Sequence, residues 1–184
     1  MMGERGPKMI PLKRTIPILL AALCTTGLLA IEPNPQQEYY VKARIIRVLL
    51  DYVEWPAKDA SRPMVVGVLE PSPFEGFLEQ ALSKVVIKGR SVQLRSLRGL
   101  SQIGNCDVVF IPEASEENLD SILGFLRGKT VLTIGDTPGY ARRGVLVNLA
   151  LLEGRTHLEI NLARMRSSGL TISPHVLKSA TLYE

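Results

Sequence analysis

Residues 131–161 decide the fold of this 184-residue chain, and they read VLTIGDTPGYARRGVLVNLALLEGRTHLEIN. The run VLTI is short, apolar and mostly β-branched, and it is closed by Gly135 and Asp136. Such a run is typical of a strand that is covered on both faces. Asp136 stands where α/β proteins often place ligand groups. The residues DTPG are also ordinary turn chemistry, and the turn is the preferred interpretation.

Residues 145–152 and 156–160 predict a β-hairpin, because Glu153 and Gly154 between them are a two-residue turn signal. The predicted register pairs Leu152 with Arg155, Ala150 with His157, Asn148 with Glu159 and Leu146 with Asn161. Since the side-chain period of a strand is two, one face is apolar and the other is polar. The polar face carries Asn148, His157, Glu159 and Asn161. It is a candidate small-ligand pocket or acid/base pair, and the alternative is a solvated sheet face on which Asn161 caps the next helix.

Residues 36–54 predict an amphipathic helix with an unusually wide apolar face. Its apolar stripe comprises Val41, Ile45, Val48, Leu49 and Tyr52, and Ile46, Leu50 and Val53 broaden it. The side of the helix that is predicted to face solvent comprises Lys42, Arg44, Arg47 and Asp51. A face this wide is either buried deep in the domain or shared with a partner. Val41, Ile45 and the nearby Trp55 are the candidate partner-binding residues, with a core position as the alternative for Trp55.

The first thirty residues predict a secretory signal peptide, because a basic segment precedes an apolar run that ends in Ala30. An uncleaved anchor and lipidation of Cys24 are the weaker alternatives. Cleavage would remove four of the 22 basic and one of the 18 acidic side chains, leaving 18 and 17. The predicted mature domain, residues 31–184, is therefore nearly neutral and lacks the basic footprint of a nucleic-acid binder.

Cys106 is the single cysteine of the predicted mature chain, so no intrachain disulfide is expected there. With two His as the other soft ligands, a structural metal site is not expected either. The sequence contains none of the common phosphate-loop, dinucleotide-binding, serine-hydrolase or zinc-protease motifs. We therefore expect a protein that is not an enzyme and that needs no cofactor.

The remaining patterns predict an α/β fold in a single domain, with a mixed sheet flanked by helices and a C-terminal β-hairpin. Buried strands are expected at 64–69 and 106–111, with a short strand on one or both sides of the turn at 88–90. Helices are expected at 74–82 and 162–168, from Ser115 as N-cap to Leu126, and after Ser173 and Pro174.

Several of these segments together resemble the YfiR family of periplasmic proteins. They are VKA at 41–43, VEWP at 53–56, VGVL at 66–69, VLTIGD at 131–136, HLEIN at 157–161 and GLTIS at 169–173. The similarity runs from about residue 38 to residue 180. This sequence has fewer aromatic residues in its first helix than the family usually has, and it lacks the paired cysteines by which some relatives respond to redox state.

The resemblance implies one α/β domain, often dimeric, that holds an inner-membrane diguanylate cyclase inactive through the cyclase's periplasmic part. Related domains also precede histidine-kinase modules as sensors. We therefore expect a periplasmic regulator that binds a membrane-bound diguanylate cyclase or sensor kinase, with a homodimer as one arrangement. The alternative is a periplasmic small-ligand binding protein that uses the polar hairpin face. The two differ in whether the wide apolar face of the first helix is buried or open.

Overall fold

The computed structural model describes Gly3 and residues 34–56 and 62–184. The predicted signal peptide, Gly3 aside, therefore lies outside the described residues. Residues 32–184 form one compact unit. Among the described residues, no helix is long and apolar enough to cross a membrane.

Helices and short strands alternate along most of this unit. The helices are α1 (Pro35–Tyr52), α2 (Phe77–Leu82), α3 (Leu100–Ile103), α4 (Leu119–Phe125), α5 (Tyr140–Arg143), α6 (Leu162–Ser167) and α7 (Pro174–Leu177), with a 3-10 turn at Glu113–Asn118. The strands are β1 (Val53–Glu54), β2 (Met64–Leu69), β3 (Val86–Ile87), β4 (Arg90–Leu97), β5 (Val108–Ile111), β6 (Leu132–Gly135), β7 (Val147–Leu152), β8 (Arg155–Asn161), β9 (Thr171–Ile172) and β10 (Thr181–Tyr183).

In the described part of the chain, eight strands form one mixed sheet in the order β10, β8, β7, β6, β5, β2, β4, β3. The central strands from β4 to β7 run parallel, whereas β3 pairs antiparallel with β4 and β8 pairs antiparallel with β7. Strand β10 adds parallel to β8 at one edge, and β1 pairs with β9 in a separate two-stranded ladder. The predicted α/β fold with a mixed sheet and a β-hairpin is confirmed; β10 was not anticipated.

The β7–β8 hairpin has the predicted register. Leu152 pairs with Arg155, and Asn148 pairs with Glu159. Glu153 and Gly154 have φ angles of 50° and 73°. Positive φ at both central residues is what a tight hairpin turn of the favoured hand requires, so the turn fixes the register of the whole hairpin.

Hydrophobic cores lie on both faces of the sheet. Alternate residues of β2 project to opposite faces, so Val66 packs against α1 and α2 whereas Val65 packs against α3 and α4. All six residues of β2 are buried for this reason. The apolar runs in the sequence are therefore strands covered on both sides, as parallel strands usually are.

Several local predictions need correction. Helix α2 begins at Phe77 and strand β5 at Val108, three and two residues later than predicted. Helix α1 ends at Tyr52, two residues earlier than predicted, because Val53 and Glu54 pair with β9. Lys42, which was predicted to face water, is 1% exposed. Ser115 does not cap a helix; it lies in the 3-10 turn, and α4 begins at Leu119.

Candidate functional site

Helix α1 divides its apolar residues between the core and the surface. Asn34 caps its start, accepting a hydrogen bond from the backbone N–H of Gln36 at 3.1 Å. Ile46 and Leu50 are buried against the sheet, while Val48 on the opposite side is 54% exposed. The wide apolar face predicted from the sequence is thus only half covered by the domain itself.

The uncovered half forms one wall of an open groove of about 680 Å³ between α1, β8 and α7. We call it the α1 groove. Its lining residues are Tyr40, Val41, Arg44, Ile45, Val48, Leu49, Tyr52, Leu158, His175, Val176 and Ser179. Two of the three predicted partner-binding residues, Val41 and Ile45, are among them.

The groove is apolar and cationic. Among its described lining residues Arg44 is the one permanently charged side chain, and none is a carboxylate. The Arg44 guanidinium donates to the Tyr40 hydroxyl at 3.1 Å and lies over the Tyr40 ring, with 5.8 Å from its carbon to the ring centroid. Tyr40 also packs edge-on against Phe77 of α2. These contacts hold the two side chains in place at the rim of the groove.

A polar cluster, buried at two of its members and partly buried at the other two, fixes α1 against the carboxyl end of β6. We call it the anchor cluster; its members are Glu38, Tyr39, Lys42 and Asp136. The Lys42 ammonium forms an ion pair with Glu38 on α1 and lies 3.7 Å from Oδ2 of Asp136. The Tyr39 hydroxyl donates to the same oxygen at 2.8 Å. The cluster therefore sets the position of the helix that forms the groove wall.

The electrostatics of the anchor cluster keep Tyr39 protonated. Burial, followed by the neighbouring Asp136 carboxylate, raises the pKa of the Tyr39 hydroxyl above its usual value of about 10. The hydroxyl is thus a permanent donor to Asp136 at neutral pH. Asp136 was singled out in the sequence as a strand-end residue, but its partners on α1 carry no local sequence signal.

The predicted hairpin cluster is only partly assembled. Asn148 donates from Nδ2 to Glu159 at 2.8 Å and to the carbonyl of Thr137 at 2.8 Å, and all three residues are buried. The Tyr183 hydroxyl donates to the other Glu159 oxygen at 3.1 Å. His157 is exposed on the hairpin and takes no part. This face of the sheet is therefore buried at Asn148 and Glu159 and exposed to solvent at His157.

Asn161 belongs to the start of α6. Its Oδ1 accepts from the backbone N–H of Arg164 at 2.8 Å, and its Nδ2 donates to the carbonyl of Ala141 at 2.8 Å. The predicted capping role is confirmed. Within the described residues, one buried side-chain oxygen, Oδ1 of Asn148, has no hydrogen-bond partner.

Trp55 lies away from the α1 groove. It is half-buried against the core, and its indole N–H donates to the carbonyl of Asp107 at 3.4 Å. The fully buried Asp107 carboxylate binds Arg62 through two hydrogen bonds of 3.1 and 2.7 Å and Arg90 through one of 2.7 Å. Trp55 therefore packs beside a buried ion cluster at the start of β5, separate from Val41 and Ile45.

The described residues offer neither a metal site nor a reactive thiol. In the residues that the structure describes, no group of three or more His, Cys, Asp or Glu could hold a metal ion. Cys106 is buried, and its burial raises the pKa of its thiol. A thiol in such surroundings is a poor nucleophile at neutral pH because little of it is thiolate.

Solved structures share this fold at low sequence identity. A conserved domain protein from Vibrio cholerae O1 biovar El Tor superposes with a TM-score of 0.56 at 13% identity, over 79% of this chain and 60% of that one. An ABC domain from Streptococcus pneumoniae, solved in complex with L-Trp, gives 0.53 at 12% identity, over 80% of this chain and 60% of that one. This chain thus spans about 60% of the length of each. At these identities the likeness concerns the fold alone.

The family comparison covers most of the described unit. No curated protein matches the sequence at a significant level. The family model described as YfiR/HmsC-like matches residues 39–181, which include most of α1, the sheet except the end of β10, and every lining residue of the α1 groove. The resemblance noted from the sequence is confirmed, and this chain belongs to the YfiR/HmsC-like family.

Proposed function

We propose that this protein is a periplasmic regulator that binds the periplasmic part of a membrane-bound diguanylate cyclase, or of a related sensor kinase, and holds that enzyme inactive. Membership of the YfiR/HmsC-like family indicates a regulatory role in cyclic-di-GMP signalling. The predicted signal peptide at residues 1–30 supports a periplasmic location.

The open half of α1 carries this proposal. A soluble domain rarely leaves several large apolar side chains together on one surface unless another molecule covers them. The α1 groove also has the composition of an interface centre, with two Tyr and one Arg beside aliphatic residues. Its one permanent charge is positive, so a partner segment with an apolar face and a carboxylate opposite Arg44 would fit.

A charge placed in the groove tests this function in cells. Val48→Glu puts a carboxylate on the exposed side of α1, where it should block an apolar partner without disturbing the core. Val86→Glu is the matched control, because Val86 is 61% exposed on β3 and does not line the groove. We expect Val48→Glu, like deletion of the gene, to raise cellular cyclic-di-GMP while Val86→Glu leaves it unchanged. Equal levels in the two variants at equal protein abundance would contradict the proposal.

Trp55 remains a proposed contact of its own. Its half-exposed ring lies apart from the groove, so it could contribute only to a partner that extends beyond α1. Trp is enriched among the few interface residues that contribute most of the binding free energy, which supports a role for Trp55 in partner binding.

A small-ligand sensor is the second proposal. For a ligand on the polar hairpin face, the support is that the buried Oδ1 of Asn148 lacks a partner within the described residues. For a ligand in the α1 groove, which Asn148 does not line, the support is that the groove has the volume of a small-molecule site. Native mass spectrometry of protein purified from the periplasm would reveal a bound molecule as added mass. A spectrum that contains only the bare polypeptide would count against this proposal.

A homodimer formed through the α1 groove is a third arrangement, and it competes with partner binding for the same surface. Light scattering of the purified protein distinguishes it, because Val48→Glu should then halve the measured mass. A monomeric wild-type protein would contradict this arrangement.

A further inference from the structure

A second cleft, which shares no residue with the α1 groove, lies where α4, α5 and α6 meet. Its volume is about 440 Å³. Four guanidinium groups line it, those of Arg127, Arg142, Arg143 and Arg164. We call it the arginine cleft. Its two acidic lining residues are Asp120 and Glu184.

Within the described residues, three of the four arginines have no carboxylate partner. Arg143 forms ion pairs with Glu116 and Asp120, at 3.5 and 3.3 Å. In the part of the chain that the structure describes, no ion pair involves Arg127, Arg142 or Arg164. Since the predicted mature chain is nearly neutral, this excess of positive charge is local to the cleft rather than a property of the whole surface.

Two of these side chains are held in defined positions. The Arg142 guanidinium lies over the Tyr183 ring, 5.3 Å from its centroid. The half-buried Arg164 packs against Gly144, where an added Cβ would lie 3.3 Å from Nε of Arg164. Gly144 has a φ angle of 113° and ends α5, so the turn needs glycine and leaves room for Arg164. Positioned guanidinium groups lose less side-chain entropy when they bind a ligand.

Helix electrostatics favour these arginines one by one but do not explain why they converge on one cleft. Arg142 and Arg143 lie in the last turn of α5, where positive side chains favour the negative end of the helix dipole. Arg127 directly follows the C-cap of α4, and Arg164 lies in the last turn of the six-residue α6, so both also lie near a negative helix end. Like charges that converge on one concave space repel one another unless an anion lies between them.

We propose that the arginine cleft binds a phosphate group. Guanidinium groups match phosphate oxygens through paired hydrogen bonds, and a phosphate can accept from several of them at once. The phosphate could belong to an anionic lipid headgroup or to a soluble phosphate compound. Either source presents the same anionic oxygens to Arg127, Arg142 and Arg164.

Two probes and three variants test this site in protein purified from the periplasm. Sodium phosphate is titrated by calorimetry at physiological ionic strength, and vesicles of phosphatidylglycerol are compared with vesicles of phosphatidylcholine by co-sedimentation. The cleft variant is Arg142→Gln with Arg164→Gln. The matched control, Arg95→Gln with Arg155→Gln, removes the same charge from two exposed positions outside the cleft.

We expect saturable binding of at least one anionic probe, weakened by about tenfold or more in the cleft variant. The control should bind as the wild-type protein does. Glu184→Gln, which removes a competing carboxylate, should bind at least as tightly. Binding of phosphatidylglycerol vesicles alone identifies a lipid headgroup, whereas binding of free phosphate identifies a soluble ligand.

Three results would overturn the inference: no saturable binding of either anionic probe, an equal loss in the control variant, or weaker binding by Glu184→Gln. Circular dichroism and thermal unfolding show that each variant is folded. The outcome is independent of the proposed regulatory function, because neither probe needs the α1 groove or a membrane enzyme.

Discussion

The anchor cluster allows a sharp test, because Lys42 is a buried charge on a helix whose other face is exposed. Lys42→Met keeps an unbranched side chain of similar helix propensity, one heavy atom shorter, but removes its charge. The Asp136 side chain, which is 2% exposed, would then lose its nearest cation. It would keep the hydroxyl donors of Tyr39 and Thr137.

The expected cost follows from burial. Removing one partner of a buried ion pair typically costs about 3 to 5 kcal/mol, because the other charge remains buried without compensation. The two remaining donors to Asp136 place this case at the low end, at about 3 kcal/mol. Arg47→Met on the same helix is the matched control. Arg47 forms an ion pair with Asp51, and the two side chains are 31% and 48% exposed. This exposed pair should contribute about 0.5 kcal/mol or less to the free energy of unfolding.

Urea unfolding of both variants measures the difference in their free energies of unfolding, provided that the slope of this free energy against urea concentration is the same in both. A double variant, Lys42→Met with Asp136→Asn, should recover about 1 to 2 kcal/mol relative to Lys42→Met, since no unpaired carboxylate remains at that position. If Lys42→Met were no more destabilising than Arg47→Met, Lys42 would not be a buried ion-pair partner. The account of how α1 is fixed would then fail.

Three further outcomes are expected. Gly135→Ala should lower the stability of the fold by about 1 to 3 kcal/mol in a thermal unfolding assay, because the added Cβ would lie 2.6 Å from Cδ2 of Tyr140. Gly124→Ala is the control: its Cβ would enter open space beside α4, so this variant should be as stable as the wild-type protein or slightly more stable. Burial raises the pKa of the Cys106 thiol, so the unfolded chain releases that proton at a lower pH than the folded protein. The free energy of unfolding should therefore fall as the pH rises above about 8.5, and it should fall less steeply in Cys106→Ala. Trp55→Ala should weaken partner capture by about 2 kcal/mol or more if the ring anchors the interface, whereas intact capture with a loss of stability of about 3 kcal/mol would assign Trp55 to the core.

The sequence was most informative where one local signal decides the structure. The apolar run of β2 is bounded by prolines, and it is a strand buried on both faces as expected. The two-residue turn at Glu153 and Gly154 determined the hairpin register, because each residue of shift would move every side chain to the opposite face. Ser173 and Pro174 marked the start of α7 correctly, with the Ser173 hydroxyl accepting from the backbone N–H of His175.

Non-local partners explain what the sequence did not predict. Lys42 stands among the polar residues of α1, and it pairs both with Glu38 one turn earlier and with Asp136, a strand-end residue far along the chain that the helix sequence does not reveal. Its neighbour Tyr39 is 97 residues from Asp136. The α1 groove also depends on residues far apart in the sequence. Val41 and Ile45 were predicted to bind a partner, but the opposite wall, which includes Leu158 and Val176, depends on how β8 and α7 pack against α1.

The most direct test of the central claim is site-specific photo-crosslinking in living cells. A photoreactive amino acid at position 48 lies in the α1 groove, and the same residue at position 86 provides the exposed control. The account predicts that position 48, and not position 86, crosslinks to an inner-membrane protein that carries a diguanylate cyclase or histidine-kinase domain, identified by mass spectrometry. The account would be contradicted if only position 86 crosslinked to such a protein. It would also be contradicted if neither position did so in cells that contain both the membrane protein and the regulator.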